Sequence, residues 1–419
     1  MSHAPLSVAV VGINYAPEET GIGPYTAALA RGLRDRGHEV RVVTTFPHYP
    51  AWRVAEGYEG RRMSETLDGV HVTRHRHYVP DKPVGLRRAW SEVTFGLAAA
   101  RAQIAHVDVV IAPSPAMLSN SLLTAALRLR RRPPAVGVIV QDLYSAGMLE
   151  NHDSPGHAAR VMRRLEARML GRADGVAVIH DRFKQRVVAD LGVPEDRVDV
   201  IRNWTHVDRP AEVDRAAARA RWGWGDDELV VLHTGAMGEK QGLENVVATA
   251  RLAQIAQPKV RFVLMGDGGR RAELQDSAEG VSTIDFIPPV SVEDYPIALR
   301  AADVLLVNER PGLQEMAVPS KLTSYFSSGH PVVAATESTS TTADEIRAAG
   351  AGVVVPPGRP ADLLASIVDL GGDPHRRETL GAAGPAYCDK VLSEEAALDA
   401  YDAWVRRLAE RRNPRGKTK

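Results

Sequence analysis

The chain has 419 residues, 44% hydrophobic and 25% charged, which suits a globular protein and is too long for one ordinary domain. Its charges cancel overall, yet residues 1–210 hold 28 Lys and Arg against 22 Asp and Glu, and the remainder holds 24 against 30. The single cysteine, Cys388, excludes an internal disulfide and a multi-cysteine zinc site, and no stretch approaches the roughly 20 apolar residues of a membrane span.

The opening Met1-Ser2-His3-Ala4-Pro5 has neither the basic segment nor the long apolar core of a signal peptide, so a cytoplasmic location is expected. Residues 6–12 then read as a buried strand, 25–36 as an amphipathic helix and 39–44 as a second strand. Further strands are predicted over 70–74, 107–112, 135–140, 175–179 and 198–201, with helices over 86–105, 116–130 and 160–170. The alternation implies βαβ units and a parallel sheet covered on both faces. Residues 206–228 are charged and poor in branched apolar residues, and read as a linker with one short helix. The pattern then restarts, with strands over 229–233, 260–265, 281–286, 303–307, 331–334 and 352–355 and a helix over 243–256. A last helix is predicted over 394–411, with Leu398, Tyr401, Trp404, Val405 and Leu408 on one face. The expected domains are 1–205, 206–390 and a terminal helix, 391–412, that returns to the first domain. In such sheets ligands bind beyond the carboxyl ends of the strands, so the loops that follow strands are where chemistry is sought.

Five loops meet that rule. After the first strand, Gly21 and Gly23 stand where a helix begins, and unpaired amides at such an end favour an anion. Their spacing is not the dinucleotide fingerprint, which argues against a nicotinamide dehydrogenase. After the first strand of the second half come Gly235, Gly238, Lys240 and Gly242, a glycine-rich turn with one lysine that suits a diphosphate. The turn lacks the Lys-Ser or Lys-Thr of a Walker loop. Gly266, Asp267 and Gly268 end the next strand and allow close approach of a base or ribose; Pro288 and Val290 follow the strand after it and offer backbone hydrogen bonds to a nucleobase. Pro319, Ser320 and Lys321 open a helix whose free amides suit phosphate, and Gly329 closes it. Each glycine turn also has a plain reading as loop geometry. His71, His75 and His77 alternate along one strand but lack acidic or cysteine partners, so a structural role outweighs a metal site. Arginines cluster at 128–132 and 160–172; a solvated face or an anionic surface explains them, and nucleic acid does not, since no binding motif accompanies them and aromatic content is 5%.

Taken together, segments 14–26, 44–50, 141–144, 200–204, 235–244, 265–269, 318–333 and 350–358 resemble, in order, the motifs of the retaining GT-B glycosyltransferases of family four, in particular the branch that makes bacterial surface polysaccharides such as colanic acid and O antigen. The resemblance spans nearly the whole chain. It implies two Rossmann-like α/β domains with a cleft between them. It further implies transfer of a sugar from a UDP- or GDP-linked donor to a glycan, lipid-linked or small-molecule acceptor, with the anomeric configuration kept and no metal or other cofactor. Lys240 would stabilise the departing diphosphate, Ser320 and Lys321 would cradle it, and Gly21 and Gly23 would lie near it. Three departures stand out. Ala236 and Met237 occupy the place of a family arginine, and Gln141 and Asp142 that of a histidine. Ser324 and Met316 fall where two glutamates are common, which brings Glu315 forward as a catalytic carboxylate beside Asp142. A sugar-nucleotide epimerase or hydrolase, or a non-catalytic sugar-nucleotide binder, would fit the same scaffold. Peripheral association with an anionic membrane is the expectation from the basic first half.

Overall fold

The computed structural model describes residues 4–19, 21–102, 104, 106–114, 116–145, 156–205, 213–256, 259–313 and 321–412. They form two compact units, Met1–Asn203 with Glu394–Lys419, and Trp204–Ser393.

The first unit is built on eight strands: β1 (Ser7–Val11), β2 (Glu39–Thr45), β3 (Arg62–Leu67), β4 (Val70–His75), β5 (Val109–Pro113), β6 (Ala135–Val140), β7 (Gly175–Val178) and β8 (Val198–Val200). Their order across the sheet is β3-β4-β2-β1-β5-β6-β7-β8, and only β3 runs antiparallel. The central strands are valine-rich and buried on both faces, since helices cover each side: α1 (Gly23–Asp35), α2 (Gly85–Arg101), α3 (Met117–Arg128), α4 (Gly156–Gly171) and α5 (Asp181–Ala189). The α2 helix stops at Arg101, short of the predicted 105. The periodicity reading missed β3, an edge strand of sequence Arg-Met-Ser-Glu-Thr-Leu that has no buried run. Its signal was the two-residue turn Asp68-Gly69, where both residues have positive φ (46° and 72°), the geometry of a tight hairpin.

The second unit contains β9 (Leu229–Ala236), β10 (Val260–Asp267), β11 (Ile284–Ile287), β12 (Val304–Asn308), β13 (Val332–Ala335) and β14 (Gly352–Val355), all parallel in the order β11-β10-β9-β12-β13-β14. This is the doubly wound order, with its switch point between β9 and β12. Along β9, Val230 and Leu232 face one side and Val231 the other. The first face is covered by α6 (Arg215–Trp222), α9 (Asp294–Ala301), α10 (Lys321–Ser328), α11 (Thr341–Ala349) and α13 (Pro374–Val391). The second is covered by α7 (Glu244–Ala256), α8 (Arg271–Ser277) and α12 (Pro360–Gly372). The α6 helix lies within the predicted linker, and β11 starts three residues later than predicted, at Ile284.

The last helix, α14 (Glu394–Arg412), belongs to the first unit. Trp404 and Leu408 lie where β6 and β7 carry glycine: a methyl group at Gly137 would come within 2.5 Å of Trp404, and one at Gly175 within 2.6 Å of Leu408. Arg36 with Asp399 and Arg407 with Asp199 add ion pairs around this apolar seat.

Candidate active site

In the second unit the switch point is occupied by the glycine turn at the end of β9, a strand that runs three residues past the predicted 233 and so includes Gly235 and Ala236. Gly235 has φ +101° and Gly242 φ +53°, conformations that favour glycine. The turn is clamped from β12. The buried Asn308 donates through Nδ2 to the carbonyls of Gln241 (2.7 Å) and Gly242 (2.8 Å), and its Oδ1 accepts from Asn245 at 2.8 Å. The Arg310 amide donates to the Lys240 carbonyl at 2.9 Å, and Gln241 Oε1 accepts from the Gly238 amide at 3.0 Å. Gly235, Ala236 and Lys240 are exposed on this rigid loop.

The end of β10, which includes Gly266 and Asp267, and the loop that follows it need a different account of their glycines. A methyl group at Gly266 would lie 1.9 Å from the Gly235 carbonyl oxygen, and one at Gly268 would lie 2.5 Å from that of Met237. With φ of +148° and +159°, both residues are glycine because the β9 and β10 backbones meet there; a ligand is not needed to explain them. Asp267 caps the loop by accepting from the Gly268 amide at 2.8 Å. Past β11, Pro288 is exposed, and the half-buried Val290 packs on the unit's core.

Next to Gly235 stands a polar pair, the half-buried Lys321 and the fully buried His233, whose contact the sequence did not disclose. Lys321, first residue of α10, donates through Nζ to His233 Nε2 at 3.3 Å. The same Nζ lies 3.8 Å from the point a Gly235 methyl would occupy. Burial keeps the His233 imidazole neutral, and the ring bonds the backbone of Leu306, whose carbonyl lies 3.2 Å from Nδ1, and of Ala236; the carbonyl at Nδ1 and the Lys321 ammonium at Nε2 together put the proton on Nδ1 and leave Nε2 to accept. Burial also lowers the Lys321 ammonium to about 7, against the opposing pull of the Glu309 carboxylate. Glu309 itself accepts from Thr336 Oγ1 and, at 2.7 Å, from Thr342 Oγ1. A histidine inside a valine-rich strand was the one available sign, and pattern reading treats it as a core residue. Ser324 is buried and hydrogen-bonded to Tyr295. Glu315, Pro319 and Ser320 lie outside the described residues.

In the first unit the switch point falls between β1 and β5. The loop after β1 is pinned by Glu18, 6% exposed, which accepts from the amides of His48 and Tyr49 (2.9 Å each) and from Asn14 Nδ2 (2.8 Å). Gly21, at φ +69°, sits against the Tyr49 ring, and a methyl at Gly23 would meet the Glu18 carbonyl at 2.7 Å. Gly23 begins α1, whose first amides have no side-chain cap. His77 is buried against His48, ring centres 4.8 Å apart, and burial holds it near 3, so it is neutral. His71 by contrast is exposed, and among the described residues no group of three His, Cys, Asp or Glu is placed to hold a metal. Asp142 is half-buried directly after β6. Its loop is held by Glu166, which accepts from the amides of Tyr144 (2.9 Å) and Ser145 (3.2 Å).

Both units match known families. Residues 20–204 match the glycosyl transferase 4-like domain, and 228–373 match glycosyl transferases group 1. The putative colanic acid biosynthesis glycosyl transferase WcaI of Escherichia coli is 30% identical over 339 residues, 77% of this chain and 82% of that protein. The chain belongs to the family four glycosyltransferases. Among solved structures, this glycosyltransferase is similar to a sucrose-phosphate synthase from Thermosynechococcus elongatus (TM-score 0.71, 18% identity, 96% of this chain and 99% of that one). It is also similar to Anabaena HepE in complex with UDP-glucose (TM-score 0.68, 17% identity, 94% and 98%). At these identities the likeness is one of fold. The glycosyltransferase thus has the GT-B pair of Rossmann-like units.

Proposed function

We propose that this glycosyltransferase takes a nucleotide diphosphate sugar on its second unit and transfers the sugar, with retention, to a hydroxyl held on its first unit. The carrying observation is the clamped turn 235–242, which holds the exposed Lys240 at the switch point with the Lys321 amine against Gly235. Two amines arranged before the ligand arrives stabilise charge as it develops on a leaving diphosphate, with little reorganisation cost. The HepE structure with UDP-glucose supports a uridine-linked donor, and a guanosine-linked one fits the same turn. In the reaction the bond from the anomeric carbon to the phosphate oxygen breaks. The acceptor oxygen bonds that carbon from the same face, and its proton passes to the leaving phosphate. No metal or cofactor is assigned. Asp142 and Glu315 remain the proposed carboxylates that orient the acceptor and sugar. Gly21 and Gly23 contribute amides at the start of α1; Gly238, Gly266, Asp267, Gly268, Pro288, Val290, Pro319 and Ser320 line the donor. The similarity to the putative colanic acid biosynthesis glycosyl transferase WcaI supports a role in surface polysaccharide synthesis, with a glycan, lipid-linked or small-molecule hydroxyl as acceptor.

The test is a melting screen against nucleoside diphosphates and their sugars, followed by product analysis with and without acceptor glycans. Stabilisation by a diphosphate sugar with acceptor-dependent release of the nucleotide is expected. Full donor consumption without acceptor would mark a hydrolase or epimerase, and binding without turnover across the acceptors would mark a non-catalytic binder.

A further inference from the structure

We propose that His233 is a positioning residue whose bare Nε2 holds the Lys321 amine against Gly235, ready for the donor diphosphate; this rests on the nucleotide-diphosphate reading above. A lysine side chain has a flexible four-carbon stem, and fixing it when a ligand binds costs rotamer entropy. A partner that fixes it beforehand removes part of that cost. The identity of the partner matters. A carboxylate bonded directly to Nζ would neutralise the cation and compete with phosphate. A neutral imidazole accepts the hydrogen bond at 3.3 Å and leaves the positive charge available. His233 is fixed in the required tautomer by its bond to the Leu306 carbonyl, and it is fully buried in β9, so it cannot turn away. The arrangement places the amine beside the turn and not out in solvent, since Nζ lies 3.8 Å from the Gly235 methyl position. Glu309, just after β12, is tied to Thr336 and Thr342 and supplies opposite charge from beside the neighbouring strand.

Two amides separate the hydrogen-bonding role from the packing role. Asparagine in place of His233 can keep the bond to Leu306 but is too short to reach Lys321, whereas glutamine can present an oxygen to Nζ. UDP, GDP, UMP and GMP are titrated against wild type, His233→Asn, His233→Gln and Lys321→Met, each first shown to melt cooperatively. Wild type should bind a diphosphate more tightly than its monophosphate. His233→Asn should lose about tenfold of that preference, approaching Lys321→Met, with monophosphate affinity held, and His233→Gln should recover it at least in part. A His233→Asn protein that keeps the wild-type preference would overturn the proposal, as would equal losses in the Asn and Gln variants. If wild type binds neither diphosphate better than its monophosphate, the donor-site reading itself fails; if it does and only His233→Asn is silent, the positioning role alone fails.

Discussion

Lys321 is a cation whose charge depends on its surroundings. Burial lowers its pKa to about 7, while the carboxylate of Glu309, after β12, opposes that shift, and the facing His233 on β9 is neutral. A lowered lysine pKa means that the ammonium is present below about pH 7 and is lost as pH rises through it. Diphosphate affinity should therefore fall between pH 7 and 9, by up to about tenfold per unit. Lys321→Arg, always protonated, should flatten that slope, which calorimetry across the range would read. Lys240 has a different duty. Exposed on a clamped loop, it is not needed for packing, so Lys240→Ala should leave the melting temperature near wild type while turnover falls by about 100-fold or more. Gly266 shows the opposite balance. With a methyl at 1.9 Å from the Gly235 carbonyl, Gly266→Ala should cost about 2 kcal/mol or more of stability in urea unfolding, whereas Gly269→Ala, with nothing within 4 Å, should not. Equal tolerance at both positions would contradict the backbone explanation.

Among the elements, β12 supports the turn 235–242 through Asn308 and α14 completes the first unit. Removing the three side-chain hydrogen bonds of Asn308 leaves buried carbonyls unpaired, so Asn308→Ala should cost about 1–3 kcal/mol and raise the KM for donor, because the turn it clamps loosens. A KM unchanged at reduced stability would separate the clamp from the site. On α14, Trp404 is 1% exposed over Gly137, and Trp404→Ala should cost about 3–5 kcal/mol by chemical denaturation. That glycine-for-tryptophan complementarity spans more than 260 positions of chain, which is why the periodicity of 394–411 reveals an apolar face but not what it covers. The β3 strand was missed for a related reason: an edge strand is stabilised by pairing to β4, and its own residues alternate between exposed and half-buried.

On the scale of the molecule, the basic surplus of residues 1–210 coincides with exposed apolar side chains at the start of α2: Leu86 is 88% and Trp90 56% exposed, with Arg87 beside them. No helix among the described residues is long and apolar enough to cross a membrane. The combination fits surface attachment to anionic lipid, in which apolar side chains enter the headgroup boundary and arginines meet the phosphates. In flotation assays at low salt the protein should rise with anionic vesicles and not with neutral ones. The Leu86→Ser/Trp90→Ser double variant should bind severalfold less, and about 0.5 M salt should release the wild type. Failure to float at low salt would remove the membrane from the account.

Local periodicity and turn chemistry were enough to show a chain of βαβ units that stops at a polar interval and begins again, because buried parallel strands and amphipathic helices each carry their own pattern in adjacent residues. The glycine turns were legible in the same way. What those glycines are for was not: a side chain at Gly266 or Gly268 would strike the neighbouring backbone, while one at Gly235 would meet only the end of Lys321, and only the packed strands distinguish them. The Lys321–His233–Glu309 group was equally out of reach. Its members lie on β9, after β12 and at the start of α10, and their protonation states depend on a burial and a hydrogen-bond partner that exist only once those elements are packed together.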